Sequence, residues 1–462
     1  MTKENIKQDY TEAIRFLYAT RFFGMKLGLQ NINYMLSESG NPEKKYFTIH
    51  IAGTNGKGSI AAMTESILRY AGYRTGLFTS PHISSFRERF KINGELISPD
   101  EVVRLVNLIK PVAEKMKQIP HLSSPTFFEI ITAMAACYFA EKNIDIAVIE
   151  TGLGGRLDAT NAFPSQIQVI TGIGLEHQEY LGNTIEQIAF EKAGIIKEEA
   201  DVIIGEQEYP ALSVIKKVAR EKSAKVHKVG SDIYWSNYSI GELTQFADIQ
   251  TSSNKYIRVE CPLLGVHQIG NLCAVIGVVE ALRNKKYYIH EPALRKGIRE
   301  TKWYGRFEVV QGNPVFILDT AANPHAAKTV VHTFNNWKKP GKPVLLIFGM
   351  LKDKDPVETG KILFPLADEI ILTQPESDRG LTANQLKAKI VKILSGKTCF
   401  VINSLKEALK YASEKMRNTG GYVLVTGSLF LIGRAREFLE LAPIEDDVKI
   451  TDFLTNGKKE KV

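Results

Sequence analysis

The 462-residue chain is predicted to be an α/β protein, with an N-terminal P-loop-type ATPase domain over residues 1–304 and a C-terminal doubly wound, Rossmann-like domain over 305–462. Three observations predict this. From Lys45 onward, β-rich apolar runs alternate with helical patterns, the signature of parallel strands crossed over by helices. A glycine-rich turn at 53–58 follows the first of those runs. A second strand-and-helix series starts near Phe307, and the length exceeds the roughly 100–200 residues that one core usually serves.

Residues 46–51 read as a buried strand, 59–70 as a helix ended by Ala71-Gly72, and 75–79 as a second strand. Ser98-Pro99-Asp100-Glu101 opens the next helix, with Ser98 as N-cap, proline in the first turn and Glu101 completing a capping box. An apolar helix is expected at 128–141, and strands at 144–149 and 167–171. Between those strands lies a second glycine-rich stretch, TGLGGR at 151–156, so two such turns are expected on one phosphate-lined sheet edge. From 233 to 264 the pattern shortens to alternating segments, which predicts a small antiparallel insertion. Helices follow at 272–282 and 291–300, then strands at 315–318, 344–348, 369–373, 399–402 and 422–426. The boundary falls at 302–305, and ligands are expected in the cleft between the domains.

Hydrophobic residues at 44% and charged residues at 24% match an ordinary globular protein. The net charge of +8 is spread out, apart from Lys458, Lys459 and Lys461. No block interleaves Lys, Arg and aromatics, which disfavours nucleic acid and points to phosphates and carboxylates bound in clefts. No apolar run approaches the ~18 residues needed to span a bilayer, and the first residues lack a secretory segment, so a cytoplasmic protein without a membrane partner is expected. Cys137, Cys261, Cys273 and Cys399 form neither a metal-type pair nor a disulfide framework, and are expected to be structural thiols.

The stretch HIAGTNGKGS sets Gly53, Gly56 and Gly58 where backbone amides can turn inward around a polyphosphate, with Thr54, Asn55 and Ser59 in the same turn and Lys57 as a point charge. It differs from the generic P-loop, because only two residues separate Gly53 from Gly56-Lys57 and Gly58 precedes Ser59. Glu150, at the end of an apolar strand, is placed to reach a polyphosphate edge.

These motifs occur in one order with GMKLGLQNI (24–32), TSPH (79–82), ETGLGGRLDATN (150–161), EKAGIIK (191–197), HQIGN (267–271), GRFE (305–308), LKDKD (351–355) and TGSLFLIG (426–433). Together they resemble the folylpolyglutamate synthase and dihydrofolate synthase family, relatives of the Mur cell-wall ligases. The resemblance runs nearly end to end. It implies an ATP-dependent ligase that adds L-glutamate to dihydropteroate, to a folate or to both through an acyl phosphate, with ATP and two Mg2+ ions as cofactors and a monomeric state. By residue, it implies Ser80 and Glu150 on one magnesium, and His177 with a carbamylated Lys192 on the second. It puts Asn271, Arg306 and Asp319 on ATP, and Lys26, Leu27, Gly28, Thr126, Phe127, Phe128, Glu129, Leu157, Asp158 and Ala159 on the pterin and benzoate.

Read without the resemblance, several of these residues have plainer roles. Lys192 would be a solvated helix lysine, Phe127 and Phe128 core, Arg306 and Asp319 surface ion-pair partners, and His267, Gln268 and Asn271 a capped helix start. Three rival functions also stand: a Mur-type ligase with another acceptor, a P-loop kinase or NTPase that forms no amide, and a nucleotide-binding regulatory relative that has lost catalysis. The chain departs from the family pattern at three places. Glu176 precedes His177 where aspartate is usual, Tyr304 stands where proline is common, and Ala322 replaces a histidine in DTAANP (319–324).

Overall fold

The computed structural model describes residues 3–20, 28–394 and 396–442. Its largest sheet has eight strands: β1 (Phe47–Ala52), β2 (Thr75–Phe78), β3 (Phe90–Ile92), β4 (Glu95–Leu96), β5 (Ile146–Glu150), β6 (Ile167–Ile170), β7 (Asp201–Ile204) and β8 (Lys225–Lys228). They lie in the order β4-β3-β2-β5-β1-β6-β7-β8. The run from β2 to β8 is parallel, and β3 and β4 add an antiparallel edge. Helices cover both faces, which is why β1 and β5 are buried along almost their whole length and do not alternate between buried and exposed residues. Because Ile51 pairs with Glu150 and Ile149 with Phe78, the turns after β1, β2 and β5 open along one sheet edge.

The expected insertion is a three-stranded antiparallel sheet of β9 (Tyr234–Ile240), β10 (Gln245–Gln250) and β11 (Lys255–Cys261). Ala247, Ile249 and Val259 on one of its faces join the core of the first sheet. The last sheet contains β12 (Glu308–Val310), β13 (Val315–Asp319), β14 (Val344–Phe348), β15 (Glu369–Leu372), β16 (Thr398–Val401) and β17 (Tyr422–Thr426), in the order β12-β13-β17-β14-β15-β16. Five of these strands are parallel and β12 is an antiparallel edge. Cores on both faces make it doubly wound.

The two α/β parts share side chains. Ile83, in the loop after β2, packs into one core of the last sheet, and a Cβ added to Gly433 would lie 2.3 Å from the Ile83 carbonyl. Leu264 and Ile240 join the opposite core.

Two local expectations need correction. Ser98 does cap the helix Pro99–Met116, accepting from the Glu101 amide at 3.3 Å, but the capping box is not closed. The Glu101 carboxylate instead takes Lys142 and Arg104, each at 2.7 Å, because two cationic donors outcompete one backbone amide. The helix expected from 272 starts at Val266, so His267, Gln268 and Asn271 lie within its first turns, not ahead of it. Their polarity hid the helical period.

Among the described residues no helix is long and apolar enough to cross a membrane. The four cysteines are free, and burial pushes the thiols of Cys261 and Cys273 up to about 12.

Candidate active site

The turn after β1 is shaped by two glycines. Gly53 has φ 147°, and a Cβ there would lie 1.8 Å from Thr171 Oγ1; Gly56 has φ 91°, and its Cβ would meet Asn271 Oδ1 at 2.6 Å. Neither position tolerates a side chain. The loop is stitched to the segment after β6: Thr171 Oγ1 donates to the Asn55 carbonyl at 2.6 Å, the Thr54 amide donates to Gly172 O at 3.1 Å, and Thr54 Oγ1 accepts from the Gly174 amide at 3.1 Å. Lys57 opens the helix Lys57–Tyr70, and its ammonium folds back onto the carbonyls of Gly53 at 2.9 Å and Thr54 at 3.3 Å. Ser59 is buried in the first turn. The loop therefore offers a helix N-terminus and a cation in one place, a ready anion site.

Gly58 serves a different need. A Cβ there would lie 2.4 Å from Cζ2 of Trp303, whose ring also faces the Lys91 ammonium at 5.8 Å. The sequence reading passed over Trp303, although a third loop glycine was a signal that something bulky packs on the loop. Gly58→Ala is expected to displace the indole and to cost roughly 1–3 kcal/mol of stability, the usual penalty of overpacking. Denaturant unfolding indistinguishable from that of the parent protein would show that the indole yields freely.

Glu150 is 5% exposed at the end of β5, and its Oε2 accepts from the Ser80 amide at 3.1 Å. Burial pushes its carboxyl up, while Lys57, the Ser80 amide, Arg306 and Arg89 pull it down. A carboxylate so placed favours a cation beside it. Among the described residues no three His, Cys, Asp or Glu side chains converge on a metal cage. Magnesium keeps waters and takes phosphate oxygens, so one carboxylate and one hydroxyl suit it. The donor set Glu150 and Ser80 passes that test.

Lys192 overturns the solvated reading. Helix Ile185–Ala193 aims it inward, where it is 1% exposed and donates to Gly53 O and to Glu176 Oε1, both at 2.7 Å. Burial lowers its pKa to about 8, against the pull of Glu176. Glu176 itself sits below the usual carboxylate range, because Lys192 and Lys57 outweigh its own desolvation. His177, beside it, has left-handed backbone at φ 47°. Desolvation lowers its pKa, with Lys354, Lys192 and Lys57 acting in the same direction and Glu176 opposing them.

Arg306 and Asp319 come from the second α/β part. Asp319 accepts from the amides of Phe307 and Ala321, each at 2.8 Å. Burial pushes its carboxyl up and Arg306 pulls it down. Arg306 acts on Glu150 as well, lowering the same carboxyl that burial raises. The structure thus gathers Lys57, Asn271, Glu150, Lys192, Arg306 and Asp319 around one sheet edge.

The residues expected on the acceptor are placed less uniformly. Lys26 and Leu27 lie outside the described residues. Gly28 has φ 150° just ahead of the helix Gln30–Glu38. Thr126 caps the helix Phe127–Glu141, and the Glu129 carboxylate is occupied by the Thr126 amide at 2.7 Å and its hydroxyl at 2.9 Å. Phe127 is buried and stacked on Tyr18 at 5.6 Å, whereas Phe128 lies against the second glycine turn, 2.5 Å from where a Gly152 Cβ would be. Asp158 is buried and accepts from the amides of Gly152 at 3.0 Å, Leu153 at 2.7 Å and Thr160 at 3.0 Å. It shapes the turn from inside. Leu157 is half-buried beside it and Ala159 fully buried.

A parallel sheet carrying a short glycine loop, facing a second nucleotide-type sheet, is the arrangement of a Mur ligase. The Mur ligase middle domain matches residues 51–279, and the Mur ligase glutamate ligase domain matches residues 305–429. The chain belongs to the dihydrofolate synthase/folylpolyglutamate synthase family. The dihydrofolate synthase/folylpolyglutamate synthase of Bacillus subtilis is 35% identical over 434 residues, which is 93% of this chain and 99% of the relative. Folylpolyglutamate synthase from Thermotoga maritima superposes with a TM-score of 0.84 at 37% identity, covering 96% of this chain and 99% of that one. The Mycobacterium tuberculosis folylpolyglutamate synthase complexed with ADP and AMPPCP gives 0.85 at 30% identity, covering 90% and 96%.

Proposed function

We propose that the chain is a cytoplasmic, monomeric ligase, with domains at 1–304 and 305–462, that joins L-glutamate to the carboxylate of dihydropteroate, of a folate, or of both, at the expense of ATP. The observation that carries the reading is the buried Glu150 beside the Lys57 loop, with Arg306 of the other α/β part acting on the same carboxylate.

The acceptor carboxylate attacks the γ-phosphorus of ATP, ADP leaves, and the amino group of glutamate then displaces phosphate from the acyl carbon, losing a proton. Two like-charged groups must meet in the first step. Lys57 and the amides of residues 53–59 hold the transferring phosphate and offset its charge. Asn271, Arg306 and Asp319 hold the nucleotide where the two parts meet. Mg2+ at Ser80 and Glu150, with a second ion at His177 and a carbamylated Lys192, would supply further charge neutralisation when bound. Burial of Lys192 suits the carbamate, because a neutral amine is the form that takes up CO2. Phe128, Leu157 and Ala159, with Lys26, Leu27, Gly28, Thr126, Phe127, Glu129 and Asp158 around them, form or support the acceptor side.

The test is a mass-spectrometric product assay with ATP, glutamate and each acceptor in turn. Phosphate release that requires both acceptor and glutamate is expected, and acceptor-independent hydrolysis would sink the reading.

Ala322 adds a sharper expectation. The backbone around it is fixed without a histidine, by Asp319 on the Ala321 amide and by Asn323, which accepts from the Ala326 amide at 2.8 Å. Alanine can neither carry a proton nor hydrogen-bond through its side chain. Ala322→His is expected to change amide-forming turnover or amino-acid preference while nucleotide affinity stays nearly constant. A shift in nucleotide affinity alone would separate this position from the ligation step.

A further inference from the structure

The helix Pro324–Trp337 touches the first α/β part at three places. At its far end Trp337 Nε1 donates to the Glu242 carbonyl at 2.9 Å, and Lys339, just beyond, pairs with the Glu242 carboxylate at 2.7 Å. Glu242 lies in the turn between β9 and β10, so the small antiparallel sheet anchors that end. Midway, Thr333 Oγ1 lies 2.6 Å from where a Cβ on Gly265 would be, at the start of the helix that carries Asn271. At the near end, Nδ1 of His325, the second residue of the helix, is 2.9 Å from Nδ2 of Asn55 in the phosphate loop.

Asn55 is therefore held from two sides. Its backbone carbonyl is taken by Thr171, at the end of β6 in the first sheet, and its side chain by His325, from the second α/β part. We propose that His325 is a positioning residue for the phosphate loop, which it fixes through Asn55 when the helix Pro324–Trp337 is seated between the small sheet and the loop. The second α/β part then acts on ATP binding through the loop itself as well as through Arg306 and Asp319. The chain lacks a histidine at 322 but carries this one a helical turn later. The proposal rests on the reading of residues 53–59 as an ATP site.

The choice of atoms sets the test. Nδ1 of histidine and the terminal amide of asparagine lie at the same remove from the backbone, so His325→Asn can keep the link to Asn55 whereas His325→Ala cannot. Magnesium-ATP affinity is measured by equilibrium titration, and thermal unfolding is recorded alongside, for the full-length parent, His325→Ala, His325→Asn, Asn55→Ala and the double alanine variant. Loss of one net hydrogen bond predicts about five-fold weaker binding for His325→Ala. His325→Asn should recover most of that loss, and in the Asn55→Ala background the His325 substitution should add nothing. Melting temperatures should stay level, because both side chains are exposed. Independent, multiplying effects of the two alanines, parent-like affinity in His325→Ala, or equal impairment by alanine and asparagine would each overturn the proposal while leaving the ligase reading in place. A parent protein that binds no nucleotide would overturn both.

Discussion

Lys57→Ala is expected to abolish ligation, by about a hundred-fold or more in kcat, while the protein folds normally. The ammonium spends its hydrogen bonds on two carbonyls of its own loop, Gly53 and Thr54, so its removal breaks no contact between distant elements. Substitutions away from core and caps usually cost little stability. A phosphate that carries developing charge, by contrast, loses the one flexible cation of the turn. The check is a steady-state rate beside a melting curve. Near-parent product formation would remove the loop from the chemistry.

Lys192→Ala is expected to be almost as damaging, for a different reason. Unmodified, Lys192 is an ammonium buried against Glu176 and the Gly53 carbonyl. With a folded-state pKa of about 8 against an ordinary 10.5, it loses its proton earlier in the folded chain than in the unfolded one. The folded protein thus binds fewer protons between those two values, and the cost of burying the charge, borne in full below pH 8, is relieved as pH rises through that window. The unmodified enzyme should therefore gain stability from neutral to alkaline pH through this group. Carbamate formation should rise over the same range, since the neutral amine grows from about a tenth at pH 7 to about half at pH 8. Labelling with carbon-13 bicarbonate at several pH values reads this directly. A small carboxylic acid added to Lys192→Ala is expected to restore part of the activity by standing in for the missing ligand. An unlabelled lysine in active enzyme would rule the carbamate out.

Much of this was legible in the chain because parallel strands buried on both faces leave unbroken apolar runs. β14 and β17 fall at the residues expected of them, and β1 and β5 within a residue or two. What was hidden depends on partners distant in sequence. Lys192 looked like any helix lysine until the fold set it against Gly53, 139 residues away. Trp303 and His325 carry no motif of their own: packing within the first α/β part sets Trp303 on the loop, and the meeting of the two parts brings His325 there. Asp158 has a structural task that its motif does not announce, because its carboxylate accepts the amides of the turn it supports.

The packing of half-buried Ile83 against the core of the last sheet bears on modularity. The loop after β2 that carries Ser80 runs directly into that residue, so the candidate metal loop is finished by a surface it does not encode. A gene fragment ending before Gly305 would leave Ile83 without its socket and the Ser80 loop without its outer wall. Such a fragment is not a minimal ATPase to which a binding module was later attached. Recombining halves between relatives should succeed only when residues 80–83 travel with a compatible 429–438 helix, which makes that junction the seam to respect in any chimera.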